Sequence, residues 1–166
     1  MAGTNLILSP DSTMLETHVT MLSPDSTSYS FDHRANGFSR GEGTVTVIIK
    51  RLKDALRDGD TIRAVIRSTG SNSNGHGSVG IMQPNVEAQV SLIRNTYEKA
   101  GLSMDTTRFC EAHGTGTVVG DSIEMNALGQ AFQSSARAER PLIVYVDILS
   151  RPLNGPLLTA FHTGGR

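Results

Sequence analysis

The chain has 166 residues, enough for one domain with a single core, and 37% hydrophobic against 19% charged residues makes it slightly polar for a compact globule. A formal net charge of −1 leaves no footprint for nucleic acid or an anionic membrane, and one cysteine excludes an internal disulfide framework and fits a reducing compartment. There is no secretory signal and no apolar run long enough to span a bilayer, so a soluble, cytoplasmic protein is expected.

The first predicted element is an apolar strand over residues 3–8, which opens without a leading loop, as a domain cut inside a strand would. Residues 9–40 are rich in Ser, Asp, Pro and Thr, and the phrase Leu-Ser-Pro-Asp-Ser-Thr occurs twice, at 8–13 and 22–27. Proline followed by aspartate favours turns, so a long surface excursion is expected, of a length that usually serves a site or an interface. Glu42, between two glycines, reads as a turn residue ordering the segment before the next strand.

The β-branched run at 43–50 predicts the clearest strand. A short helix follows at 52–57, ended by Asp58-Gly59-Asp60, with Lys50, Arg51 and Lys53 a solvated cluster at its start. Period-two alternation predicts a strand at 62–67, and the polar, glycine-rich residues 68–80 a loop. The best helix is expected at 85–100, where Val86, Val90, Ile93, Tyr97 and Ala100 form one apolar stripe, Glu87 suits the first turn and Gly101 the stop. A strand ending at His113, a helix from Ser122 to about Phe132 and a strand at 142–146 complete the chain. This alternation implies a right-handed, mostly parallel sheet with helices packed on it, an α/β fold.

Chemistry concentrates in Phe109-Cys110-Glu111-Ala112-His113-Gly114-Thr115-Gly116-Thr117, followed by Val118-Val119-Gly120-Asp121-Ser122-Ile123-Glu124. A buried strand, a glycine-rich turn and a helix start place His113 where α/β folds bind ligands. Gly114 and Gly116 let the backbone turn sharply, while Asp121 and Glu124 have the spacing of a capping box. Cys110 is three residues from His113, so on a strand the two side chains point to opposite faces, and Cys110 reads as a small buried hydrophobe. Cys110 with His113 is half a metal-ligand set, and no metal is expected. Gly114, Gly116 and Gly120 do not have dinucleotide-loop spacing. His18, His33 and His76 fall in polar loops and read as solvent-facing.

Glu111-Ala112-His113-Gly114-Thr115-Gly116-Thr117 resembles the Glu-Ala-His-Gly-Thr-Gly-Thr motif of β-ketoacyl synthases, the ketosynthase domains of polyketide and fatty-acid synthases. A second block agrees with it: Tyr29-Ser30-Phe31-Asp32, Arg34-Ala35-Asn36-Gly37-Phe38 and Arg40-Gly41-Glu42-Gly43. Asn5-Leu6-Ile7-Leu8-Ser9-Pro10 extends the likeness to the fungal iterative type I enzymes. The resemblance implies a partial thiolase-like fold: residues 2–60 as the end of the N-terminal half, 61–146 as the start of the C-terminal half. It also implies decarboxylative Claisen condensation of acyl and malonyl thioesters carried on the phosphopantetheine of an acyl carrier protein. Homodimerisation and contact with the rest of a polyketide synthase belong to the same implication.

By motif position, the resemblance makes His113 the first of two catalytic histidines. Thr115 and Thr117 become candidates for hydrogen bonding the pantetheine arm, and Glu111, Gly114, Gly116, Asp121 and Glu124 structural support. The family's nucleophile lies upstream of Asn5, in an Asp-Thr-Ala-Cys-Ser-type segment that is absent. After Val146 the family continues with Lys-Ser-Asn-Ile-Gly-His, whereas this chain has Asp147-Ile148-Leu149-Ser150-Arg151, and His162 comes too late to be the second histidine. Residues 147–166 are therefore expected to be a divergent tail, and the isolated chain to lack condensing activity and be poorly stable. The rival readings are a non-catalytic remnant binding a synthase or an acyl carrier protein, and a small α/β binder using the 114–120 turn.

Overall fold

The computed structural model describes residues 1–73, 84–135 and 142–146. His76, the end of the 68–80 loop and the tail at 147–166 with His162 lie outside the described residues.

Two small sheets organise the chain. Strand β1 (Ala2–Asn5) pairs antiparallel with β2 (Gly43–Thr46), with Ala2 opposite Thr46 and Asn5 opposite Gly43. Both strands are shorter than their apolar runs. Met1 and Val47 exchange bonds of 2.8 Å at the end of the ladder, so 48–50 lie past the last partner. At the other end Glu42 Oε1 accepts from the Ile7 amide at 2.6 Å, which ties the segment before β2 to the chain leaving β1.

Between these strands the structure corrects the expected loop: residues Pro10–His18 form helix α1. Pro10 sits in the first turn, where its missing N–H costs nothing, after Ser9 as the N-cap. None of its residues is buried. It is held from outside, by Arg40, whose guanidinium donates to Ser12 and Thr13 at 2.9 and 2.7 Å and lies 3.3 Å from Glu16. His18, expected in a loop, stands exposed in the last turn of this helix.

Helix α2 (Leu52–Asp58) stops at Gly59 in the left-handed conformation, φ 71°. The basic cluster before it is paired: Lys50 reaches Asp58 and Asp60, and Arg51 reaches Asp54 at 2.6 Å. The strand expected at 62–67 does not form. Ile62, Val65 and Ile66 are exposed, and alternation without a neighbouring strand cannot make a ladder.

The second unit is better packed. Helix α3 (Val86–Ala100) begins at Asn85, whose side chain accepts from the Ala88 amide at 2.9 Å, and stops at Gly101 with φ 63°. Strand β3 (Phe109–Ala112), helix α4 (Val118–Phe132) and strand β4 (Ile143–Val146) follow, with β3 and β4 parallel and in register from Phe109 opposite Ile143 to Ala112 opposite Val146. The expected parallel sheet is thus present as this β3–β4 pair, and the β1–β2 pair is antiparallel.

The core lies between α3, α4 and one face of β3–β4. Val90, Ala112, Ala127, Leu128, Ala131 and Phe132 are buried, with Ile93, Tyr97, Cys110 and Val144 packed around them. Tyr97 meets Phe132 edge-on at 5.7 Å, and Arg94 donates to the Gln130 carbonyl across the helix pair. On the other face, Phe109 and Tyr145 touch edge-on at 5.6 Å.

Candidate functional site around His113

His113 follows the last residue of β3 and is exposed, while Ala112 before it and Gly114 after it are buried. A stiff strand ends directly beneath a solvent-accessible imidazole. The backbone around it is held from two sides.

Helix α4 holds the amides. Glu124 takes the His113 N–H on Oε1 at 2.6 Å and the Gly114 N–H on Oε2 at 2.9 Å. Asp121, buried, takes the Gly116 N–H on Oδ1 at 3.0 Å and the Phe31 N–H on Oδ2 at 2.7 Å. Charged acceptors make stronger hydrogen bonds than neutral ones, and here both oxygens of each carboxylate are engaged. This corrects the capping-box expectation. The helix starts four residues before Ser122, its N-cap is Thr117 without a side-chain bond, and the carboxylates reach back to the turn instead of capping. Serving the turn satisfies the buried Gly116 amide and the half-buried amides of Gly114 and Phe31, whereas the first turn of α4 is open to solvent at Val118 and Val119.

The long segment 19–40 holds the other side. Its two ends come together where Leu22 and Phe38 bridge, with Phe38 N–H on the Met21 carbonyl and Ser23 N–H on the Phe38 carbonyl. Gly37 then donates to the Gly116 carbonyl at 3.0 Å, and Ser30 Oγ donates to the Gly114 carbonyl. Backbone meets backbone here, which only glycine permits. A Cβ at Gly116, φ 81°, would lie 2.8 Å from the Tyr29 nitrogen, and one at Gly37, φ 130°, 2.5 Å from the Leu22 carbonyl carbon. Phe31 itself has φ 55°, a left-handed backbone that costs a bulky residue on the order of 1–3 kcal/mol.

Thr115 and Thr117 are half-buried and their hydroxyls lie 3.2 Å apart. Glu111 lies half-buried on β3, opposite Tyr145 in register. Cys110 packs against the core, and burial pushes its thiol up to about 11, with Glu124 and Glu111 adding to the effect. His33 is exposed beside Asp32, whose carboxyl the Arg34 guanidinium and amide hold well below the usual carboxylate range. Among the described residues, no three histidine, cysteine or acidic side chains gather as a metal site would require. Sequence reasoning missed Ser30, Phe31 and Gly37 as neighbours of the turn. The one signal available was the length of the 9–40 segment.

Comparisons with known proteins bear on the family and the fold. Residues 1–55 match the family described as beta-ketoacyl synthase, N-terminal domain, and residues 63–146 the beta-ketoacyl synthase, C-terminal domain. Highly reducing polyketide synthase NEC1 of Pyricularia oryzae is 55% identical over 144 residues, which is 87% of this chain and 5% of that protein. Highly reducing polyketide synthase 40 of Fusarium mangiferae is 53% identical over 143 residues, 86% of this chain and 6% of that protein. The chain thus spans about a twentieth of the curated relatives it matches. Among solved structures, the ketosynthase from module 6 of the bacillaene synthase of Bacillus subtilis 168 superposes with a TM-score of 0.82 at 39% identity, covering 87% of this chain and 25% of that one. An oxazolomycin ketosynthase domain from Streptomyces albus gives 0.82 at 35%, covering 88% and 25%. The chain belongs to the β-ketoacyl synthase family, as a ketosynthase sequence of the fungal polyketide synthase type with a partial thiolase-like α/β fold.

Proposed function

We propose that this chain is the part of a ketosynthase that presents the first catalytic histidine, and that His113 acts in decarboxylative condensation when the rest of the site is supplied. The observation that carries this is the exposed imidazole at the end of β3, with the amides on either side of it fixed by Glu124. In the reaction the bond between a malonyl thioester and its carboxylate breaks, carbon dioxide leaves, and the electron pair passes into a thioester enolate. The enolate carbon attacks an acyl thioester on a cysteine, a carbon–carbon bond forms, and the thiolate leaves. Negative charge builds on the malonyl thioester oxygen in the first step, and a preorganised donor there lowers the barrier. His113 is that donor, held without freedom to reorient its backbone. Thr115 and Thr117 take the phosphopantetheine arm of an acyl carrier protein, and Asp121 and Glu124 keep the turn in shape.

On this reading residues 2–60 and 61–146 come from the two halves of the ketosynthase, which works in the cytoplasm as a homodimer within a polyketide synthase. The 166-residue chain holds neither the nucleophilic cysteine motif nor the second histidine motif, so no acyl-enzyme forms on it. Incubated with acyl and malonyl thioesters, it should yield no condensation product; a product would overturn the reading. In an intact synthase containing this segment, His113→Ala should abolish decarboxylation and leave acylation of the cysteine in place. The second reading, a non-catalytic remnant binding a synthase or carrier protein, draws on the open apolar residues of β2 and the segment after it, Val45 and Ile48 among them. Co-purification with either partner would favour it.

A further inference from the structure

The turn after His113 has two sides, and only one belongs to α4. Glu124 and Asp121 hold its amides, whereas its carbonyls are held by the distant segment: Ser30 Oγ on Gly114 and the Gly37 amide on Gly116. Phe31 links the two sides. Its N–H goes to the same Asp121 carboxylate that holds Gly116, and its ring atom Cε2 lies 3.2 Å from where a Cβ of Gly114 would stand. Val146 also crowds that same position, with Cγ1 2.6 Å from it. The ring also packs against the buried core. The left-handed backbone at Phe31 is what allows its amide to face α4 while its ring lies against the turn.

We propose that Ser30 and Phe31 are positioning residues for His113, acting through Gly114: the hydroxyl fixes the Gly114 carbonyl and the ring sets how far the turn can approach the 28–31 segment. The catalytic meaning of this rests on His113 being the reacting imidazole; the mechanical part does not. Loss of the Phe31 ring removes the packing that limits the turn on its 28–31 side, while the hydrogen bonds from Ser30 and Gly37 and to Glu124 and Asp121 remain. His113 then keeps its strand and loses its direction.

The test uses the 166-residue chain with labelled histidine rings and amides, read by nuclear magnetic resonance. Phe31→Ala, Phe31→Leu and Ser30→Ala are compared with the unsubstituted chain. In Phe31→Ala the Gly116 amide should exchange about tenfold faster or more, because its bond to Asp121 opens more readily once the ring no longer packs the turn in place. The His113 ring signals should move with it, while α3 and α4 amides stay protected. Phe31→Leu, which keeps apolar bulk, should restore most of the difference, and Ser30→Ala should act chiefly on the Gly114–Thr115 peptide.

Unchanged His113 signals and Gly116 exchange in Phe31→Ala would overturn the proposal. So would parallel loss of α3 and α4 protection in both Phe31 variants, which would make Phe31 a core residue only. An unsubstituted chain with unprotected α3 and α4 would remove the geometry and the proposal together. The reading of His113 fails separately: condensation retained by His113→Ala in an intact synthase would remove its catalytic role and leave the positioning result standing.

Discussion

Glycine at 37 and glycine at 59 both have positive φ, and they should respond very differently to alanine. At Gly59, φ 71°, nothing lies within 4 Å of the added Cβ, so Gly59→Ala carries only the left-handed penalty, about 1 kcal/mol. At Gly37 the added carbon meets backbone atoms of Met21, Leu22 and Ser23 at 2.5–2.7 Å, and backbone cannot swing aside as a side chain can. Gly37→Ala should cost ~3 kcal/mol or more and release Gly116 from its partner. Denaturant midpoints of the two variants, measured together, check the contrast; equal shifts would mean the backbone of Met21, Leu22 and Ser23 does not close on Gly37. Cys110 gives a pH counterpart. Its thiol is raised in the fold to about 11 from 9.0, so below pH 9 it is protonated whether folded or unfolded and costs nothing. Between about pH 9 and 11 the unfolded chain releases this proton first, and stability falls as pH rises. At pH 8, alkylation should be far slower in the folded chain than after denaturation; equal rates would place the thiol in solvent.

At the scale of the element, local chemistry decides some structures and distant contacts the others. Helix α3 was legible because its cap, stripe and stop are all local, and each is found: Asn85 caps, Val90 and Tyr97 face the core, Gly101 ends it. Asn85→Ala should therefore cost about 1 kcal/mol and speed amide exchange first at Ala88, with the C-terminal turn of α3 unaffected. The phrase Leu-Ser-Pro-Asp-Ser-Thr shows the limit. At 8–13 it opens helix α1, whereas at 22–27 it is a turn in which Ser23 is buried, accepts from the Asp25 amide, and is followed by Ser26 at φ 52°. Six identical residues cannot encode that difference. Arg40 gathers the first copy into a helix, and the backbone of Gly37 and Phe38 flattens the second. The same reason hid the partners of Asp121 and Glu124. Their spacing suggested a cap, but the bond to Phe31 crosses 90 residues of sequence, and no local pattern carries it. The 62–67 strand failed in the opposite way, since alternation is local and the partner strand it needs is not.

The whole molecule is unevenly built, and that sets its behaviour in solution. Among the described residues its core cluster lies on α3, α4, β3 and β4, while every residue of β1 and β2 is exposed. On and beside that pair Leu8, Val45 and Ile48 are 85, 66 and 97% exposed, more apolar surface than isolated side chains on a stable monomer would leave. A two-stranded sheet without a covered face is marginal by itself, and its open edges are templates for another strand. The two units should therefore differ in stability, with β1 and β2 opening at lower denaturant than α3 and α4. The 166-residue chain should also associate as its concentration rises, through the β1–β2 region. Light scattering against concentration, with a dye that brightens on apolar surface, reads this directly. Val45→Lys together with Ile48→Lys should suppress the association and the dye signal while leaving the α3–α4 amides protected, because neither side chain touches that core. A chain that stays monomeric and dark without those substitutions would mean that something within its own 166 residues covers the sheet. In that case the apolar faces would no longer support the non-catalytic reading, association with a synthase or a carrier protein, and the reading of His113, which rests on the geometry of the turn, would stand as before.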